Sequence, residues 1–341
     1  MTTSSAVPET YELDGDDARR MLRDVGWKRL LVDSFIRFRT ADGFSHVRAL
    51  AHATVLTALP ALITTIAIAT AFDFTTFREV LEHTLKQLAP GPSGSVLSTA
   101  FRQGSKSGGG AALVGGLIAA VASGMFAMAQ IERGCNRIYG MVRDRSISAK
   151  LTVGLLLSFS AGVLLVLAFM FLAAGQALGK GLSEGGVLGD TASTVFAIAR
   201  WPAGLLLVFA ALTLVYKVSP NRRQPGIAWL QTGTIMATVL WVILTSLLAV
   251  YYSVSDQLGS TYGPLLGIIA ILTWAYATAL ALFLGIALAA QLEAVRAGVP
   301  GPRTFRRYNE TVRDPEETSD SGRFRIPERG QQARTETAPS L

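Results

Sequence analysis

Side chains suited to catalysis are scarce in this sequence, and those present do not converge. His46 and His52 are six apart, so they fall on different faces of a helix. His83 stands in another segment. Cys135 is the single cysteine, which excludes an intrachain disulfide and any multi-cysteine zinc or iron–sulfur centre. The sequence has no HExxH, phosphate-loop or Gly-x-Ser-x-Gly pattern and no carboxylate pair at usable depth. It therefore predicts no catalytic residue, no metal site and no cofactor, and a protein that is not an enzyme.

What chemistry there is lies in polar groups set into apolar runs. Arg200 stands about seven residues into such a run, roughly 10 Å deep at 1.5 Å per residue, with Trp201 and Pro202 next to it. A charge at bilayer depth is costly. Arg200 either snorkels to the surface or meets an anionic head group in an outward-facing cavity. No acid stands at that depth in the other runs, which favours an anionic ligand or lipid phosphate. Gln130, Glu132, Arg133 and Asn136 form a polar turn at the end of another run. Glu132 and Asn136 are i, i+4 neighbours, and Gln130 and Arg133 are i, i+3 neighbours. The turn is either a helix end bonded to the next loop or a cytoplasmic gate. Glu293 could pair with an inner-loop arginine. Gly116, Ala120 and Gly124 recur every four residues, as do Ala277, Ala281 and Gly285. Small residues on one face let membrane helices approach closely, so these predict helix packing, with a substrate groove as the alternative.

These residues need long helices to hold them. The 341 residues are 50% hydrophobic and only 16% charged, with a mean hydropathy of +0.39. The charges are uneven: residues 48–293 hold 24 of them, while the two ends, 95 residues together, hold 31. That layout excludes an ordinary soluble enzyme, a coiled coil and a disordered chain. A bilayer core of about 30 Å needs about 20 apolar residues in a helix, and six stretches suffice. They lie at 49–72, 111–131, 151–178, 193–216, 226–253 and 264–292. None alternates with a period of two, as a barrel strand would. Lys and Arg near the span ends divide 20 against 5, alternating at every turn. Both termini are therefore expected in the cytoplasm. The net charge of +7 needs no nucleic-acid partner, because positive-inside loops beside anionic lipid account for it. No signal peptide is expected in the first 47 residues.

The expected fold is all-α: a polytopic six-helix membrane bundle at 49–293. An acidic tail at 1–17 is expected to be disordered. Over 18–48, Leu22, Val25, Leu30, Phe35 and Phe38 approximate one helical face, with arginines and Lys28 between them. This is read as an amphipathic helix on the inner leaflet, with a helix capping the loops as the alternative. Residues 73–110 form an external helical hairpin, in which Phe77, Val80, Leu81, Thr84, Leu85 and Leu88 make one face. Residues 294–341 are expected to be a disordered cytoplasmic tail.

Four motifs in order resemble the BrkB/YihY family of bacterial inner-membrane proteins. They are ALAHATVLTALPALI, IERGCNRIYG, LTLVYKVSPNRR and STYGPLLGIIAILTWAYATALALFLG, within about residues 30–295. The resemblance implies a six-helix bundle with both ends in the cytoplasm. It also implies a role in envelope integrity and serum resistance, and members are regarded as candidate transporters. Some were labelled ribonuclease BN, which these residues do not support. Family positions fall on Asn136, on Arg200 with Pro202, on Tyr216 with Pro220, on Tyr262 with Gly263, and on Trp274 with Tyr276. The family's aromatic pair in the first span is His52 and Ala53 here, and its Gly-Ala-Glu is Gly285-Ile286-Ala287. Proton coupling through that acid is therefore not expected.

The expected function is a non-enzymatic protein of the bacterial inner membrane that moves or holds a lipid or other anionic amphiphile. Arg200, Trp201, Tyr262, Trp274 and Tyr276 are the candidate ligand contacts. Membrane lipids are the expected partners, and a second copy or another envelope protein is left open. A structural role in the envelope without transport is the alternative, and a membrane-bound hydrolase or nuclease comes third.

Overall fold

The computed structural model describes residues 6–9, 20, 23, 25–71, 110–141, 143–169, 171–172, 190–253 and 265–299. The expected hairpin at 73–110, Tyr262 and the tail beyond Val299 lie outside these. Among the described residues there is no strand and there are seven long helices. They are α1 (Trp27–Thr40), α2 (Gly43–Ala71), α3 (Gly110–Ile138), α4 (Ile147–Phe169), α5 (Asp190–Val218), α6 (Ile227–Ser253) and α7 (Leu265–Arg296). Apolar runs of this length become helices because lipid offers no partner to a backbone N–H or C=O. Five stretches are long and apolar enough to cross a membrane: Leu113–Ile138, Ile147–Ala168, Thr194–Val218, Ile227–Tyr252 and Ile268–Arg296. The remaining expected span falls in α2, a helix of 29 residues.

Each helix packs on the next from α2 through α7, and α7 returns to α2, so the six form a ring with α1 laid across α7. Tight corners set the ends. Asp42 takes a left-handed conformation between α1 and α2, which Asp tolerates, and its carboxylate accepts from Ser45 Oγ at 2.9 Å. Gly140 and Gly298 also take positive φ and close α3 and α7. Met141 N donates to Asn136 O and Gly140 N to Arg137 O, and the same pattern recurs at Val299 and Gly298. This satisfies carbonyls that a helix end leaves free.

The ring is filled at one end, and among the described residues burial falls off towards the other. Phe38, Ile138, Tyr139, Tyr216, Phe283 and Ile286 are fully buried at the end that carries the arginine-rich loops, hereafter the basic end. Gly285 of α7 lies there against α6. A Cβ on it would stand 2.6 Å from the Gly233 carbonyl oxygen and 2.6 Å from Ala237 Cβ. Ala277 and Ala281 on the same face are buried too. Gly124 of α3 is buried against Ser158 of α4, whereas Gly116 and Ala120 are half-buried. Towards the far end burial stops. None of the residues 113–123, 194–203, 238–252 or 268–274 is buried, and among the described residues only α2 and α4 carry buried residues further, at Thr64, Ala67 and Ala168.

Helix α1 differs from its expected face. Leu30, Ser34, Arg37 and Phe38 are buried, whereas Phe35 is 44% exposed. Arg37 displaces the apolar pattern because the protein supplies partners for its guanidinium. Nε donates to Gln291 Oε1 at 2.8 Å and Nη1 to Ile138 O at 3.3 Å. Val32, Phe35 and Phe44 remain on the outer side of this corner.

Candidate functional site

The helix ends at the basic end are joined by polar side chains that the apolar core cannot satisfy. The C-terminus of α5 leaves carbonyls unpaired. Arg145, in the loop after α3, covers them: Nη1 donates to Ser219 O at 2.6 Å, and Nη2 donates to Val218 O and Pro220 O at 2.9 Å. The same guanidinium pairs with Glu132 at 3.2 Å. A cation at a helix C-terminus is also favoured by the helix dipole. Asn136 donates from Nδ2 to Asp144 at 3.0 Å and accepts from Asn221 N at 2.9 Å, tying together the loops that follow α3 and α5. Lys217 donates to the carbonyls of Gln224 and Pro225, which folds the second loop back on its own helix.

Of the four residues expected as a gate, the structure thus brings together Glu132 and Asn136. Gln130 is half-buried outside this network. Arg133 is exposed, with Nε only 3.5 Å from Ala129 O in its own helix. Burial is the largest influence on the Asp144 carboxyl and pushes its pKa up. The Asn136 amide, Lys150 and Arg137 outweigh it and hold the carboxyl below its ordinary value.

Glu293 pairs with an inner-loop arginine, Arg222. The side chains are 0% and 2% exposed. The Arg222 guanidinium also lies over the Tyr139 ring, 4.5 Å from its centroid. Residues 6–9, part of the stretch expected to be a disordered tail, are seated on this pair. Val7 is buried, its N donates to Tyr139 O at 3.0 Å, and Arg222 donates to Val7 O at 3.3 Å and Pro8 O at 2.9 Å. Glu9 accepts from Arg223 N at 3.1 Å. Burial pulls the Arg37 pKa down to about 10, against the opposing influence of Tyr139 and Glu293. It pushes the Tyr139 phenol up.

The candidate ligand contacts stand apart from this network. Arg200 is half-buried, its Nε lies 3.3 Å from Ala197 O one turn back, and its Cζ is 5.2 Å from the Trp201 ring. Among the described residues it has no carboxylate partner and shares no hydrogen bond or ring contact with Trp274 or Tyr276. Trp201 is 53% and Trp274 37% exposed, while Tyr276 packs on the core. Among the described residues no three His, Cys, Asp or Glu side chains come together as a metal site.

Sequence reasoning missed Arg37, Tyr139, Arg145, Gln291 and Val7. Arg37 and Arg145 read as ordinary positive-inside charges. The one signal for Val7 was an apolar Val-Pro pair in an otherwise polar stretch.

Compared with known proteins, residues 34–307 match the family model described as virulence factor BrkB. A Bacillus subtilis (strain 168) protein named as ribonuclease-like, YfkH, is 28% identical over 258 residues, covering 75% of this chain and 92% of its own length. No solved structure matches.

Proposed function

This chain belongs to the virulence factor BrkB family and is a membrane protein with several membrane-spanning helices, and from that premise we propose that it moves a lipid or another anionic amphiphile across the bacterial cytoplasmic membrane without catalysing a reaction. One observation carries this reading: the helix ring is filled and bonded together at the basic end, while among the described residues α3, α5, α6 and α7 carry no buried residue over 113–123, 194–203, 238–252 and 268–274. Helices packed along their whole length would bury their inward faces throughout. Helices that part leave lateral openings, and these are what an amphiphile needs in order to enter from lipid. The 20-to-5 split of Lys and Arg argues that the open half faces outward. Arg200 lies in that half and offers a guanidinium with a free fork for a phosphate.

A nuclease reading rests on the printed name of the YfkH relative. Against it, both buried carboxylates at the basic end are already held, Glu132 by Arg145 and Glu293 by Arg222. A purely structural envelope role would leave the open half without a task.

Mass spectrometry of lipids that co-purify with the protein tests the proposal. Anionic phospholipid should be enriched over the membrane extract. Arg200→Lys should reduce the enrichment and Arg200→Ala should reduce it further, with thermal stability unchanged. Equal lipid composition in all three proteins and in the extract would remove the proposal's support.

A further inference from the structure

Helix α1 crosses three helix ends at the basic end. Leu30 packs with Trp229, the third residue of α6, and with Leu288 and Leu292 in the last turns of α7. Two turns on, Arg37 reaches Gln291 of α7 and the carbonyl of Ile138, the last residue of α3. These partners mark one level. Ile138 ends the apolar stretch from Leu113, Trp229 stands near the start of Ile227–Tyr252, and Leu288 and Leu292 lie near the end of Ile268–Arg296. Helix α1 therefore runs along the boundary where apolar spans give way to charged loops.

The side of α1 turned away from these contacts is not a polar face. Lys28, Val32, Phe35 and Arg39 are exposed at i, i+4, i+7 and i+11, so they share one stripe opposite the buried Leu30, Ser34 and Phe38. Trp27, at the start of the helix, is 61% exposed. Phe35 meets Phe44 in the first turn of α2, with ring centroids 6.4 Å apart. From Phe44, the exposed Arg48, His52 and Leu56 continue along α2 at four-residue intervals. The outer face of α1 is thus continuous with that of a helix expected to span the bilayer. A single exposed apolar side chain is ordinary, but Val32, Phe35 and Phe44 at one corner, with Trp27 before them, mark a contact surface.

Charge selects the partner. Lys28, Arg29, Arg39 and Arg48 are exposed beside this surface. The acids at hand are Asp33, which Arg29 approaches to 3.8 Å, and Asp42, which accepts from Ser45. Among the described residues neither Lys28 nor Arg39 pairs with a carboxylate. Lys28 stands one turn before Val32 and Arg39 one turn after Phe35, so their stems can lie along the apolar stripe with the cationic heads beyond it. Apolar side chains at the tail boundary with cations at phosphate level complement an anionic leaflet. A soluble acidic protein would meet the cations but not apolar groups set level with the span ends.

We propose that Lys28, Val32, Phe35 and Arg39 of α1, with Trp27 and Phe44, form a docking surface for anionic phospholipid in the leaflet at the basic end. Val32, Phe35 and Phe44 enter the acyl boundary, and Lys28 and Arg39 hold head-group phosphates. Of the residues expected to face lipid, Leu30 and Phe38 are buried in the bundle instead, and Phe35 remains. The surface is separate from Arg200 and does not depend on lipid movement.

Full-length protein carrying Phe35→Cys or Val32→Cys, labelled with bimane and placed in nanodiscs, tests the surface. Cys135 is buried and stays unreacted. The quenchers are acrylamide in the water, and phosphatidylglycerol or phosphatidylcholine carrying a nitroxide near the head group. At both positions lipid should quench strongly and acrylamide weakly, the reverse of Arg143→Cys in the exposed loop after α3. Phosphatidylglycerol should quench several-fold more than the same fraction of phosphatidylcholine, and Lys28→Gln with Arg39→Gln should make the two lipids equal. Acrylamide quenching at 32 and 35 as strong as at 143 would overturn the proposal and make α1 a soluble cap. Quenching by neither reagent would overturn it too, and assign the face to a second copy or another segment of this chain. Equal quenching by both lipids without the glutamine substitutions would overturn the choice of an anionic partner.

Discussion

Arg222 and Glu293 stand 71 positions apart in sequence, and their side chains meet out of water, where the N-terminal segment, the loop after α5 and the end of α7 converge. A buried pair of this kind fixes geometry more than it adds stability. Losing one partner leaves the other as an uncompensated charge. Glu293→Gln should therefore lower stability by about 3–5 kcal/mol, and Arg222→Leu with Glu293→Leu together should recover part of that loss. Thermal denaturation in detergent reads both. A single variant as stable as wild type would mean that the pair is held weakly.

The contact between α6 and α7 is sensitive to one methyl group. A Cβ at Gly285 overlaps both the Gly233 carbonyl and Ala237, which are backbone and a rigid neighbour, so neither can yield cheaply. Gly285→Ala should cost about 1–3 kcal/mol, and Gly285→Leu should reduce the folded yield sharply. Gly124→Ala meets the Ser158 hydroxyl at 3.0 Å, a group that can rotate away, and should be nearly neutral. Size-exclusion profiles of the three variants decide this. A monodisperse Gly285→Leu protein would contradict the close contact.

Asp144 gives the loop after α3 a pH signature. Its carboxyl titrates below its ordinary value in the folded protein, so its contribution is fully present above that ordinary value and is lost as pH falls through the lowered one. Asp144→Asn should therefore lower Tm by a constant amount at neutral pH. The gap from wild type should close below about pH 4. A gap independent of pH would show that the stability lost in Asp144→Asn does not come from the carboxylate's charge.

The orientation can be tested by labelling. Arg143 and Arg223 are exposed at the basic end, and the native Cys135 is buried, so cysteines at these two positions report without background. With an impermeant maleimide on intact cells, both should stay unlabelled until the membrane is opened. Labelling of either from outside would reverse the assignment.

The bundle could be read from sequence because lipid leaves a long apolar run little choice but to be a helix, and the Lys and Arg count orders the ends without any contact being known. The side-chain network was only half readable. Glu132 and Asn136 share a helix face, and that relation is local. Glu293 could be expected to find an arginine, but which one depends on how α7 meets the loop after α5. Arg37 and Gln291 are 254 positions apart, and no periodicity links them. Arg37 reads as surface charge because its burial is decided by partners on α7 and at the end of α3. Val7 seats through backbone hydrogen bonds, which side-chain patterns do not encode.

The central claim, that the half-open ring passes an anionic amphiphile, is tested most directly in proteoliposomes. Vesicles carry purified protein and phosphatidylglycerol with a fluorescent head group in both leaflets, and dithionite is added outside. Empty vesicles lose only the outer leaflet's signal. Vesicles with wild-type protein should lose the inner leaflet's signal as well, and those with Arg200→Ala should lose it more slowly. Signal loss that stops at the outer leaflet with folded wild-type protein present would contradict the account.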